Sequence, residues 1–200
     1  VRFIVLDTNW VHTANGLIDL AYEKSSLYPG SKQRYLSQVQ LAWLQQTLRT
    51  SAEPCVLLSH ASLVDPLCGI HNPQALAEVL DGCAGKVILA LNGHSHVDGM
   101  TRRRDTAFVN INSASYHWVG VAYAAVHYSR QLCSLYPQMA NTVPYYHPLY
   151  AVVTIADGAI RIDGTQSCFV GPSPQALGLP AEENDYPPTP CISHRLISLP

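Results

Sequence analysis

Short apolar runs alternate with stretches of helical periodicity along the first half of the chain. Phe3-Ile4-Val5-Leu6, Cys55-Val56-Leu57-Leu58 and the run from Lys86 to Leu91 lack the polar alternation of a half-exposed strand. Each predicts a strand covered on both faces. Between the first two runs, Val39, Trp43, Leu44 and Leu48 recur at helical spacing. Ser37 with Gln40 forms a capping box, Leu36 and Leu41 sit where a hydrophobic staple would, and Arg49 suits the last turn. A helix over 38–49 follows. Between the second and third runs, Asn72-Pro73 reads as an N-cap with proline at the first helical position, and Leu76, Val79 and Leu80 supply a buried stripe. Asp81-Gly82 ends that helix. A histidine stands just beyond each of the last two apolar runs, His60 and His94. This is the layout of an α/β sandwich, in which ligands gather outside the C-terminal ends of the strands.

The pattern weakens downstream. Ala107 to Asn112 predicts one more strand, whereas residues 113–148 carry tyrosines and histidines with little periodicity and predict no element. Leu149 to Ala156 and Ala159 to Asp163 flank Asp157-Gly158, a two-residue hairpin signal. Residues 10–34 read as a long connection with turns at Asn15-Gly16 and Pro29-Gly30. Prolines crowd the chain after Gly164, as in Pro187-Pro188-Thr189-Pro190, which predicts an extended surface arm. The expected organisation is an α/β body over 1–165 and a Pro-rich extended tail over 166–200.

Composition narrows the classes. Charged residues make up 13% of the 200 and apolar residues 48%, the profile of a globular chain with a sizeable core. A net charge of −2 gives no broad attraction to nucleic acid or to a membrane surface. No apolar run approaches the ~18 residues of a spanning helix, and no signal peptide is visible. The chain opens on Val1 directly within an apolar strand, so the natural beginning is expected upstream. Six cysteines without a Cys-x-x-Cys pair predict free thiols of a reducing compartment, the cytoplasm being favoured.

The chemistry concentrates in Leu89-Ala90-Leu91-Asn92-Gly93-His94-Ser95-His96-Val97-Asp98. A buried strand stopping at Gly-His-x-His delivers two imidazoles to one region, and in an extended loop residues i and i+2 point the same way. Neutral imidazole suits borderline transition metals and carboxylates suit harder ones. Asp98 can orient a ligand histidine by accepting its other ring proton, or serve only as a turn residue. Asp7 reads as a local backbone cap. His117 and Arg103 are candidates for a substrate pocket, against the plainer readings of a packed histidine and a solvated turn. Ser113 and Ser115 lack the Gly-x-Ser-x-Gly elbow, so a serine hydrolase finds no support.

Two blocks carry a family resemblance. Val56-Leu57-Leu58-Ser59-His60 resembles the strand-then-histidine block of the calcineurin-like metallophosphoesterases, and Asn92-Gly93-His94-Ser95-His96 is similar to their closing Gly-His-x-His block. Gln40-Leu41-x-Trp43-Leu44 resembles the helix that precedes these blocks. The resemblance implies a partial α/β/β/α metallophosphoesterase sandwich with a mixed sheet. It assigns His60 and His94 to one divalent ion and His96 to a second, with Mn, Fe or Zn as the metals. The family's earlier blocks, Asp-x-His, Gly-Asp-x-x-Asp and Gly-Asn-His, have no match here. Asp65, Asp81, Asp98 and Asp105 stand in other contexts, and Asn15-Gly16 is not followed by histidine.

The chain therefore looks like the C-terminal half of such a domain, with three imidazoles and none of the metal-binding carboxylates. The general-acid histidine is expected in the missing N-terminal segment. In the complete protein the resemblance implies hydrolysis of a small phosphoester, as a phosphatase or phosphodiesterase, at a dinuclear site. This chain alone is expected to be inactive, and its exposed apolar sheet face to associate with the missing half or with itself. Two alternatives stay open: a non-catalytic binding or structural remnant of the same fold, and a mononuclear His₃ zinc site built from His60, His94 and His96.

Overall fold

A computed structural model describes residues 1–13, 16–19, 34–65, 68–156, 158–181 and 186–199. The chain folds as two compact units. The first comprises Val1–His94 and Met100–Val109, and the second Ser95–Gly99 and Asn110–Pro200. The structure thus groups the C-terminal residues with 110–165, where the sequence suggested a division at residue 165.

In the first unit, strand β1 (Arg2–Leu6) leads into a small antiparallel sheet of β2 (Trp10–Thr13), β3 (Gly16–Asp19) and β4 (Arg34–Tyr35), in the order β3-β2-β4. These strands fall where a long connection was expected. Asn15 and Pro29-Gly30, of the expected turns, lie outside the described residues. Helix α1 (Gln38–Thr50), β5 (Cys55–Ser59), α2 (Pro73–Asp81) and β6 (Val87–Asn92) follow, each within a residue or two of its predicted span. The hairpin of β7 (Gly99–Arg103) and β8 (Thr106–Asn110) completes a five-stranded sheet ordered β1-β5-β6-β8-β7. β1, β5 and β6 are parallel, in the register Ile4↔Leu57↔Ala90. A protein with a mostly parallel central sheet and helices connecting its strands is of the α/β class.

The core explains the apolar runs. Ile4, Leu6, Leu57, Ala90 and Phe108 face Leu41, Leu44 and Leu48 of α1 and Leu76 and Val79 of α2. At α2 the proline stands at the first helical position, but the Asn72 side chain makes no cap bond: its Oδ1 accepts the Leu36 N–H at 3.0 Å and its Nδ2 donates to the Leu36 carbonyl at 2.9 Å. The start of α1 carries out its predicted role with one change. Ser37 Oγ accepts the Gln40 N–H at 3.2 Å, as a cap should. The Gln40 side chain does not complete the box. Its Nε2 donates to the Asp7 carbonyl at 2.9 Å and its Oε1 accepts the Asp7 N–H at 2.7 Å, a clasp that ties α1 to the end of β1. The Asp7 carboxylate caps the Asn9 N–H at 2.9 Å, a local backbone role.

β1 is less covered than its composition suggests. It forms the sheet edge, and Phe3 and Val5 on its second face are 61% and 70% exposed. Alternation, not a continuous buried run, is its real pattern.

The second unit contains β9 (Tyr116–Trp118), α3 (Arg130–Leu135), β10 (Thr142–Pro144), β11 (Ala151–Ala156), β12 (Ala159–Gly164) and β13 (Arg195–Ser198). β9 pairs antiparallel with β10, and β11-β12-β13 form an antiparallel sheet. The hairpin at Gly158 forms in the predicted register, with Gly158 at φ +72°, while Asp157 lies outside the described residues. Residues 113–148, without a sequence signal, are built from one short strand pair, α3 and 3-10 turns. The proline-rich segment is more than a tail. It ends in β13, whose Ile197 stands opposite the buried Ile160. Among the described residues no helix is long and apolar enough to cross a membrane, and no cysteine is in a disulfide.

Candidate metal centre

His60 follows the last residue of β5, and His94 comes two residues after β6. Because the two strands are adjacent and parallel, with Ser59 opposite Asn92, their C-terminal ends release both histidines at the same edge. The pairing continues past the strands, since the Gly93 N–H donates to the His60 carbonyl at 3.0 Å. The His60 turn is fixed from two further directions. Ser59 Oγ donates to the Ala61 carbonyl at 2.8 Å, and the Ala61 N–H donates to the buried Thr8 Oγ1 at 3.1 Å.

The outcome is an imidazole pair. His94 Nδ1 lies 3.1 Å from His60 Nε2, with ring centroids 4.8 Å apart and planes at 63°. Partial burial, and then the charge of Arg34, hold His60 below the ordinary imidazole value, although much of its ring reaches solvent. The neutral form so favoured is the one that carries a free lone pair.

The pair fits a metal ion in part. Two nitrogens at ~2.0–2.1 Å from one tetrahedral ion lie about 3.3 Å apart, close to the spacing found here. Without an ion, the same spacing serves a hydrogen bond from one neutral ring to the other. Among the described residues no group of three or more His, Cys, Asp or Glu side chains gathers to hold an ion. The pair thus accounts for two ligands and leaves the rest of a coordination shell unfilled.

His96 is held separately, within the second unit. The loop is not the extended segment that would point residues i and i+2 alike. His94 has φ +70° and His96 φ +56°, both left-handed. Histidine tolerates this region better than most residues, but the conformation is strained and persists only where the surroundings fix it. The His96 ring meets the Tyr116 ring edge-on at 4.9 Å between centroids. Its carbonyl accepts from His117 Nδ1 at 3.0 Å, which places the His117 proton on Nδ1.

The remaining candidates change role. His117 is fully buried in β9 and braces the histidine loop through that bond. Asp98 is taken up elsewhere than on an imidazole. Arg195 Nη1 donates to its Oδ1 at 2.9 Å, Arg195 Nη2 to its Oδ2 at 2.8 Å, and Ser193 Oγ to the same Oδ2 at 2.5 Å. Arg103 stands at the far end of the sheet. It pairs with Asp81 at 3.1 Å beside Arg104, in a small cleft lined also by Cys83, Val87 and Phe108. That cleft opens where β6 begins, roughly 17 Å along the strand from the histidine end.

Sequence reasoning missed Thr8, Ser193 and Arg195, and it placed Gln40 in a capping box without its clasp on Asp7. Only Gln40 carried a local signal, as the fourth member of a capping box. The others act across many residues and leave no spacing to read.

Fold and site together define an α/β protein with an imidazole pair at the C-terminal edge of a parallel sheet. No protein-family model matches the chain, and no curated protein matches it either. Among solved structures it is similar to a dimetal phosphatase from Danio rerio, with 19% sequence identity and a TM-score of 0.43. That likeness covers 68% of this chain and 38% of the other, so the chain spans less than half the length of that structure.

Proposed function

We propose that this chain supplies the imidazole side of a metal-dependent phosphoester hydrolase. His60 and His94 hold one divalent transition metal, and His96 serves the second ion that the motif resemblance implies. The observation that carries the reading is the 3.1 Å approach of His60 Nε2 and His94 Nδ1 at the ends of adjacent parallel strands. The order and spacing of Ser59-His60 and Gly93-His94-Ser95-His96 support it. A bound divalent metal would polarise a phosphoester and make a bound water acidic near neutral pH. The residues of this chain bind and orient. Burial and Arg34 keep His60 neutral, the Gly93–His60 backbone bond fixes the mutual placement of the rings, and the braced loop fixes the His96 backbone.

Carboxylate ligands and a proton donor for the leaving group come, in this reading, from a segment outside these residues. The exposed edge strand β1, with Phe3 and Val5, is where such a segment or a second copy would dock. Substrate and metal identity stay at the level of class: a small phosphoester and Mn, Fe or Zn.

The test is a Mn²⁺ titration of the 200-residue chain, read by electron paramagnetic resonance, alongside turnover of p-nitrophenyl phosphate. The expected result is weak binding that falls by at least about 100-fold in His60→Ala or His94→Ala, because losing a direct ligand costs no less than losing an outer partner of one, with no turnover. Binding indifferent to both substitutions would favour a non-catalytic remnant. Tight one-to-one zinc binding lost in His96→Ala would favour the mononuclear site. Turnover by this chain alone would contradict the assignment of its missing groups.

A further inference from the structure

The stretch His96–Gly99 is secured at every residue from within the second unit. The His96 carbonyl is bonded by His117 and its ring lies against Tyr116. Val97 is fully buried. The Asp98 carboxylate, with its side chain 5% exposed, is forked by Arg195, itself 13% exposed. Ser193 adds a third hydrogen bond to that carboxylate. Tyr186 packs so closely on Gly99 that a Cβ there would come within 2.7 Å of the ring. Three of these partners, Tyr186, Ser193 and Arg195, come from the proline-rich segment, and Arg195 is anchored in turn by β13, opposite Ile162 of β12.

A surface ion pair would mean little here, because solvent screens it. This pair is different in kind: both groups are nearly out of water, the geometry is a two-point fork, and the carboxylate sits two residues from a left-handed histidine. Strained backbone survives only where neighbours over-determine it.

We propose that Arg195 is a positioning residue for His96: gripping Asp98 from β13, it holds the loop in the conformation that fixes the His96 ring against Tyr116. The C-terminal segment is then a strap on the histidine loop. Its consequence for metal rests on the reading of His96 as a ligand; its consequence for the loop does not.

The experiment uses the full 200-residue chain without metal and follows proton–proton cross-peaks by NMR. In Arg195→Gln the His96–Tyr116 ring contact is expected to be lost, while the Ile160–Ile197 contact between β12 and β13 persists. Retention of the His96–Tyr116 contact overturns the proposal. If Arg195→Gln loses both contacts together, Asp98→Asn decides. That variant keeps Arg195 in β13 and removes the charged fork, so loss of the His96–Tyr116 peak with the Ile160–Ile197 contact retained supports the strap and an unchanged His96–Tyr116 peak overturns it. Arg161→Gln, at an exposed pair with Asp163 on the same sheet, should change nothing at His96. A parallel Mn²⁺ titration should show affinity about 10-fold lower in Arg195→Gln, as for other outer partners of ligand histidines. If the unsubstituted chain binds no Mn²⁺, the proposed function fails while the NMR outcome still judges the strap.

Discussion

His94 and His96 stand one residue apart and share a left-handed backbone, yet each belongs to a different compact unit and is held by different means. His94 owes its place to regular structure. Two adjacent parallel strands end together, one backbone bond continues their pairing, and the ring meets His60. His96 owes its place to tertiary contacts. A buried histidine, a tyrosine ring and an arginine from the other end of the sequence converge on the residues around it. Strand regularity makes a site robust, because many hydrogen bonds share the task of placing it. A site built on a few long-range contacts is open to single substitutions.

The largest expected effect tests that difference directly. Asp98→Ala strands the Arg195 guanidinium out of water, and breaking such a buried pair costs about 3–5 kcal/mol, read as a drop in the urea midpoint. The contrasting pair, Arg103–Asp81, has side chains 42% and 34% exposed, and Asp81→Ala should cost at most ~1 kcal/mol. Equal losses at the two positions would mean that burial does not set the two ion pairs apart.

A smaller effect isolates the backbone. At position 94 a glycine carries no Cβ penalty at φ +70°, whereas alanine does. His94→Gly should therefore be more stable than His94→Ala by about 1 kcal/mol, the size of the left-handed penalty. The same comparison at position 96 should give the same sign. If alanine equals or exceeds glycine at both, the loop is not strained.

The smallest effect is a pH dependence at the imidazole pair. His60 titrates lower in the folded chain than in the unfolded chain, whose value is near 6.5. Above that value both states are neutral and the group contributes nothing to pH dependence. As pH falls below it, the unfolded chain takes up a proton first, so stability declines until the folded group also titrates. Urea unfolding of the native chain and of His60→Asn, compared from pH 8 to 5, should show their difference narrowing below about pH 6.5. A difference that is flat or widens there would reverse the assigned shift.

Much of the first unit was legible in the sequence for a physical reason. Buried parallel strands need continuous apolar runs, helices need periodic stripes and caps, and both signals are local. Cys55–Ser59, Val87–Asn92, α1 and α2 all fell close to where their residues placed them. So did His60 and His94, because a residue just past the end of a buried strand has little choice of direction. β1 is the exception: Phe3 and Val5 are apolar yet exposed, and composition cannot tell an edge strand from a central one.

Only the tertiary structure decided the rest. That Gln40 would clasp Asp7 and leave its own cap half-made depends on where β1 ends. That Arg103 would serve Asp81 depends on which end of the sheet its hairpin reaches. That Asp98 would face Arg195, 97 residues on, depends on β13 returning to pair with β12. The sequence determined which chemical groups this protein brings to a strand edge, because strand propensity and motif spacing act over a few residues. Which neighbours hold them depends on contacts between distant segments, and those contacts exist only once the chain has folded.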